Sequence, residues 1–119
     1  MRIVRTFFIL LFALAIVLPL AARQKDSQVR TVHGGVLDKQ DNIVSGGVVY
    51  LQNKKTQVIR TYISDDQGQY TFSGLDPNVD YEIHAELNGL TSAARTISSF
   101  DSRKDIVVTL KLDKKKTDK

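Results

Sequence analysis

The imidazoles of His33 and His84, the only two in the chain, are the side chains best suited to move protons or hold a transition metal near neutral pH. A zinc peptidase site needs a His and a Glu close in sequence and a distant second His, so that one coordination position stays open for water. Val36 stands three residues past His33 and Leu87 three past His84, so neither histidine has a carboxylate at that spacing. Glu82, His84 and Glu86 recur at every second position, which places them on one face of a strand. A weak surface metal contact is the most that row offers. Both histidines read as exposed strand residues.

Asp38, Asp41, Asp65 and Asp66 are the oxygen-rich positions that an exported protein could turn toward calcium, but they lack the full ligand spacing of a calcium loop. They read as turn formers. Ser45, Ser64 and Ser73 fall in turns, where a hydroxyl serves local backbone bonds better than it serves as a nucleophile. The chain has no cysteine, which excludes disulfides, thiolate metal sites, cysteine nucleophiles and a lipoprotein anchor together. Tyr50 and Tyr62 are the pair that could share a surface as a carbohydrate platform, although aromatics at strand spacing are more often core or cross-strand partners. No residue is assigned a catalytic, cofactor-binding or metal-binding role, and no cofactor is expected.

The net charge of +4 sits at the ends. Arg2 and Arg5 supply two of the charges and residues 103–119 a further four, so residues 23–102 carry −2. That distribution offers no basic face for a phosphate backbone, and nucleic acid is not an expected partner. Arg2 and Arg5 precede an apolar run from Phe7 to Leu18, followed by Pro19 and Leu20-Ala21-Ala22. This is the layout of a signal peptide over residues 1–22 with cleavage after Ala22, and it predicts a bacterial-type secreted or periplasmic protein. Left uncleaved, the same segment would be the chain's one membrane attachment.

Beyond a short linker at residues 23–30 the apolar residues alternate, the mark of half-buried strands. Val32, Gly34 and Val36 share one face; Val48 to Leu51 and Val58 to Ile63 form two further strands. Ser64-Asp65-Asp66-Gln67-Gly68 reads as a tight turn in which Gly68 supplies a positive φ, after which Tyr70 and Phe72 point to one side. Pro77 marks another break. Tyr81, Ile83, Ala85 and Leu87 then face inward, Asn88-Gly89 turns the chain, and Leu90 to Ser98 return antiparallel. Ile106, Val108, Leu110 and Leu112 alternate in a last strand, before a basic tail at residues 113–119 that is too charged to bury. About seven short strands at this spacing predict an all-β, two-sheet Greek-key sandwich.

Val32-His33-Gly34-Gly35-Val36-Leu37-Asp38, Val44 to Leu51, Ser64 to Phe72 and Leu75 to Ile83 together resemble the carboxypeptidase regulatory-like domain, over residues 31–112. Asn78-Val79-Asp80 departs from the family, which usually places Gly before the aromatic. The resemblance implies a transthyretin-like sandwich that accompanies a catalytic domain without being one. Transthyretin-like folds also include a 5-hydroxyisourate hydrolase with a Tyr-Arg-Gly-Ser terminus, whereas this chain ends Lys116-Thr117-Asp118-Lys119. The expected function is therefore a non-catalytic exported binding or structural module that acts on a protein or polysaccharide partner at the envelope or outside the cell. The alternatives are a polysaccharide-binding domain and a hydrolase with an unrecognised site.

Overall fold

In the computed structural model, residues 29–116 are described; the leader expected over residues 1–22 and the last three residues of the tail lie outside them. The alternation foreseen in the sequence becomes two packed sheets. One holds β1 (Arg30–Leu37), β4 (Gln69–Leu75), β8 (Asp105–Val107) and β9 (Leu110–Lys111). The other holds β2 (Val48–Asn53), β3 (Ile59–Ile63), β5 (Tyr81–Leu87), β6 (Leu90–Thr91), β7 (Arg95–Ile97) and β10 (Lys114–Lys115). In the first sheet β1 is central, antiparallel to β4 and parallel to both β8 and β9. The second runs β10-β6-β5-β2-β3 and is antiparallel throughout, with β7 continuing alongside β5. No helix among the described residues is long and apolar enough to cross a membrane.

Each sheet turns one row inward, and the two rows bury each other. Val32 and Val36 of β1, Tyr70 and Phe72 of β4, and Ile106, Val108, Leu110 and Leu112 form one layer; Val49, Leu51, Tyr81, Ile83, Ala85 and Ile97 form the other. Burial pushes the Tyr70 hydroxyl above its usual range. That hydroxyl is not stranded, because it donates to the Val108 carbonyl at 2.6 Å, as a buried phenol must.

The seven expected strands are present, but two of them are broken and an eighth segment is added. Leu90 to Ser98 divides at Ser92, whose buried hydroxyl accepts the Ala85 amide at 2.9 Å in place of a backbone carbonyl. Residues 106–112 divide at Val108, where the backbone passes so close to Gly34 that any β-carbon there would overlap the Val108 carbonyl. The tail does not simply dissolve after Asp113. Lys114 and Lys115 pair with Thr91 and Leu90, so the backbone finds partners while the lysine side chains stay in water. β1 also begins inside the stretch expected to be linker, at Arg30, whose side chain is only 2% exposed.

Candidate functional site

The outer face of the larger sheet gathers the polar row read from the sequence. His84 on β5 stacks on Tyr50 of β2, its register partner, with centroids 4.9 Å apart and planes 10° from parallel. Its Nε2 lies 2.9 Å from Glu86 Oε2, and the second Glu86 oxygen takes the Lys116 ammonium at 2.9 Å. The hydrogen bond from His84, then that from Lys116, holds the Glu86 carboxyl below its ordinary range; the same carboxylate raises Lys116. Glu82 faces Lys54 at 3.7 Å. Between Tyr50, Gln52, Ile59, Glu82 and His84 lies a shallow hollow of about 80 Å³.

His33 is far from this row in the fold, on the other sheet, with Nε2 3.1 Å from Asp105 of the neighbouring β8. Each histidine thus has a carboxylate beside it in space, although neither has one at ligand spacing in sequence. The pairs stay separate, and among the described residues no three His, Asp or Glu side chains converge as a metal site would require. His84 has one ring face on Tyr50 and Nε2 on Glu86, which is itself engaged by Lys116. The arrangement fastens Lys116, just past β10, to β5.

The turn aspartates serve their own turns. Asp38 Oδ1 accepts the amides of Gln40 and Asn42, and Asp65 Oδ1 those of Gln67 and Gln69, all at 2.9 Å. Asp41 pairs with Lys111 at 3.0 Å. Ser64 donates to the Val44 carbonyl and accepts the Gly47 amide. Tyr50 and Tyr62 do not share a surface: Tyr62 stands opposite Val49, on the sandwich-interior side of β3, edge-on to Phe72 at 6.0 Å.

Two features escaped the sequence reading. Arg30 closes one end of the sandwich, donating to the carbonyls of Ser98, Asp101, Asp76 and Val79; an arginine just after the polar Gln24-Lys25-Asp26-Ser27-Gln28 stretch carries no sequence signal of burial. β3 is the other. All five of its residues are exposed, Ile59 at 55% and Ile63 at 57%, and among the described residues no strand lies beyond it in the sheet. The density of branched side chains marked it as a strand, but nothing in a lone sequence says which strand is an edge.

A model of the carboxypeptidase regulatory-like domain family matches residues 31–113. Comparison with curated proteins finds no match. Catechol 1,2-dioxygenase from Acinetobacter shares the fold with a TM-score of 0.55 at 10% identity, over 78% of this chain and 55% of that one. A streptococcal ancillary pilin gives 0.57 at 18% identity, over 76% and 34%. The major pilin subunit of Bacillus cereus gives 0.56 at 15% identity, over 73% and 30%. The chain spans about half the length of the dioxygenase and about a third of each pilin, and at these identities the likeness is one of fold.

Proposed function

This chain belongs to the carboxypeptidase regulatory-like domain family, and from that premise we propose that it is a non-catalytic binding and structural module, exported behind residues 1–22, that engages a partner at the envelope or outside the cell through the free edge of its larger sheet. The observation that carries this reading is β3. Val58, Ile59, Tyr62 and Ile63 remain exposed on and just before a strand that pairs with β2 on one side and, among the described residues, with nothing on the other. Exposed apolar side chains on an open backbone edge are what strand addition uses, with main-chain hydrogen bonds supplying affinity and alternate side chains specificity. The family and the pilins of the same fold support a role by association, since neither the regulatory-like description nor a pilin names a reaction.

The test is sedimentation of the full chain with envelope preparations from cells that express it. A lysine on the edge places a charge where a partner strand would lie, so Ile63→Lys is expected to weaken cosedimentation roughly tenfold, a change of about 1.4 kcal/mol. Ser102→Lys, on an exposed loop, should leave it unchanged. Undiminished binding by Ile63→Lys removes β3 as the contact.

A further inference from the structure

We propose that the strand received by β3 is β3 of a second copy of this chain, antiparallel and centred on Thr61, so that two larger sheets fuse into one across a two-fold axis. The inference rests on the reading of β3 as the working edge and adds the partner.

Register carries the argument. The Asn53 amide donates to the Val58 carbonyl at 2.9 Å and the Ser64 amide to the Gly47 carbonyl at 2.8 Å. In an antiparallel pair the hydrogen-bonded positions alternate, so residues 58, 60, 62 and 64 spend their backbone groups on β2. Those of Ile59, Thr61 and Ile63 point to the open side. A two-fold axis at Thr61 is the one register in which all three meet outward-directed partners within the strand: Ile59 with Ile63, Thr61 with Thr61, and Ile63 with Ile59. Each such pair exchanges two hydrogen bonds.

The side chains agree with that register. On the outer face Ile59, beside Gln52, comes across from Ile63 of the other copy, beside that copy's Val48. On the inner side Arg60 stands across from Tyr62, and no like charges are directly opposed. Arg60 is already positioned for an aromatic neighbour, its guanidinium 5.5 Å from the centre of the Phe72 ring and donating to the Ser73 carbonyl. The pairing continues that Arg60-Phe72-Tyr62 cluster across the axis.

The other sheet edges explain why assembly closes at two. β10, an opposite edge of the same sheet, carries Lys114 and Lys115; β4 turns Gln69, Thr71 and Ser73 outward; β7, β8 and β9 are only two or three residues long and carry Arg95, Asp105 and Lys111, although Val107 of β8 is exposed. Lysine and polar side chains are the usual guards against edge pairing. Among the described residues β3 has neither lysine nor proline, and its single charge is folded over Phe72. An edge that is complementary to itself, paired about a two-fold, leaves no second such edge free and cannot propagate.

The absence of cysteine from the chain makes the test clean. The β-carbons of a hydrogen-bonded antiparallel pair stand about 5.5 Å apart, beyond the roughly 3.5–4.5 Å that a disulfide bridges but within reach of a short bis-maleimide. Full-length Thr61→Cys treated with that reagent is expected to give a covalent dimer, and Ser102→Cys to remain monomeric at the same concentration. Light scattering of the unmodified chain should show its mass double on going from dilute to near-millimolar protein, and Ile63→Lys should shift that midpoint upward roughly tenfold or more. A mass that stays monomeric, with Thr61→Cys crosslinking no faster than Ser102→Cys, overturns the homodimer. If Ile63→Lys still loses envelope binding in that case, the edge serves a different strand and only the identity of the partner falls; if envelope binding is also indifferent to Ile63→Lys, both readings fall.

Discussion

Asp38 and Asp65 open the same turn twice. In each, the aspartate carboxylate accepts two downstream amides, its own amide donates to the carbonyl four residues on, and its carbonyl accepts the amide three residues on. That last residue must take a left-handed conformation, which Asp41 does at φ 69° and Gly68 at φ 74°. An exposed aspartate tolerates this conformation better than most side chains. Gly68 has a further constraint, since a β-carbon there would stand 3.1 Å from Ile43 Cβ and 3.2 Å from both the Val36 carbonyl oxygen and the Val44 amide nitrogen. Gly68→Val therefore combines a branched residue at positive φ with crowding, and is expected to cost about 2–4 kcal/mol in urea unfolding. Parent-like stability would remove the turn assignment. This turn was legible in Ser64-Asp65-Asp66-Gln67-Gly68 because its chemistry is local. Glu86 beside His84 was legible too, two positions along one strand; the partner of His33 was not, because Asp105 reaches it only through the pairing of β1 with β8.

Strands with one dry face announce themselves by alternation, which is why β1, β5 and the Ile106 to Leu112 row were readable in position and facing. The breaks within them were not, because each depends on a contact distant in sequence: Ser92 standing in for a ladder carbonyl opposite Ala85, and Val108 passing over Gly34. β10 misled for a different reason. Charge kept Lys114 and Lys115 out of any core, as the composition required, but a strand needs only its backbone paired, and Thr91 and Leu90 supply the partners. An ion pair adds to those backbone bonds. Glu86 is held below its usual 4.5 by His84 and Lys116, and Lys116 above its usual 10.5 by Glu86. A carboxyl lowered in the folded state contributes stability that is complete above its unfolded value and lost as pH falls through the folded one; a raised ammonium contributes below its unfolded value and loses it as pH rises through the folded one. β10 is therefore expected to hold across the neutral range and to loosen in acid below 4.5. Amide-exchange protection of Lys116, whose N–H donates to the Gly89 carbonyl at 2.8 Å, reads this directly. Protection should fall in acid, and Glu86→Gln should show the reduced level already at neutral pH. Protection independent of both pH and Glu86 would mean that the backbone pairs alone hold the strand.

At the scale of the molecule, the chain crosses between the two sheets five times among the described residues with no disulfide to reinforce the crossings, so the loops at the ends of the sandwich need ties of their own. One tie lies within the smaller sheet, where Tyr70 reaches from β4 to the Val108 carbonyl of the β8–β9 connection. Arg30 supplies the other. Its guanidinium sits where β1 begins and spans the Asp76–Val79 loop and the Ser98–Asp101 loop, with donor distances of 2.9–3.3 Å to four carbonyls. Those loops join β4 to β5 and β7 to β8, so each crosses from one sheet to the other, and a single side chain sets their spacing. Only a planar fork with several donors can serve carbonyls lying in different directions, and an ammonium on a flexible stem cannot reproduce it. Replacing the group leaves buried carbonyls without donors, which costs more than the removed bonds contribute. Arg30→Met, which keeps most of the volume, is expected to lower stability by about 3 kcal/mol, and Arg30→Lys to recover less than half of that loss. Urea unfolding measures the total. Amide exchange at Val79 and Ser99, whose N–H groups donate to Asp76 O and to Asp80 Oδ1, locates it, because loosening should appear at this end while the β2–β3 hairpin keeps its protection. Full rescue by lysine would show that charge alone, not the fork, holds the two loops.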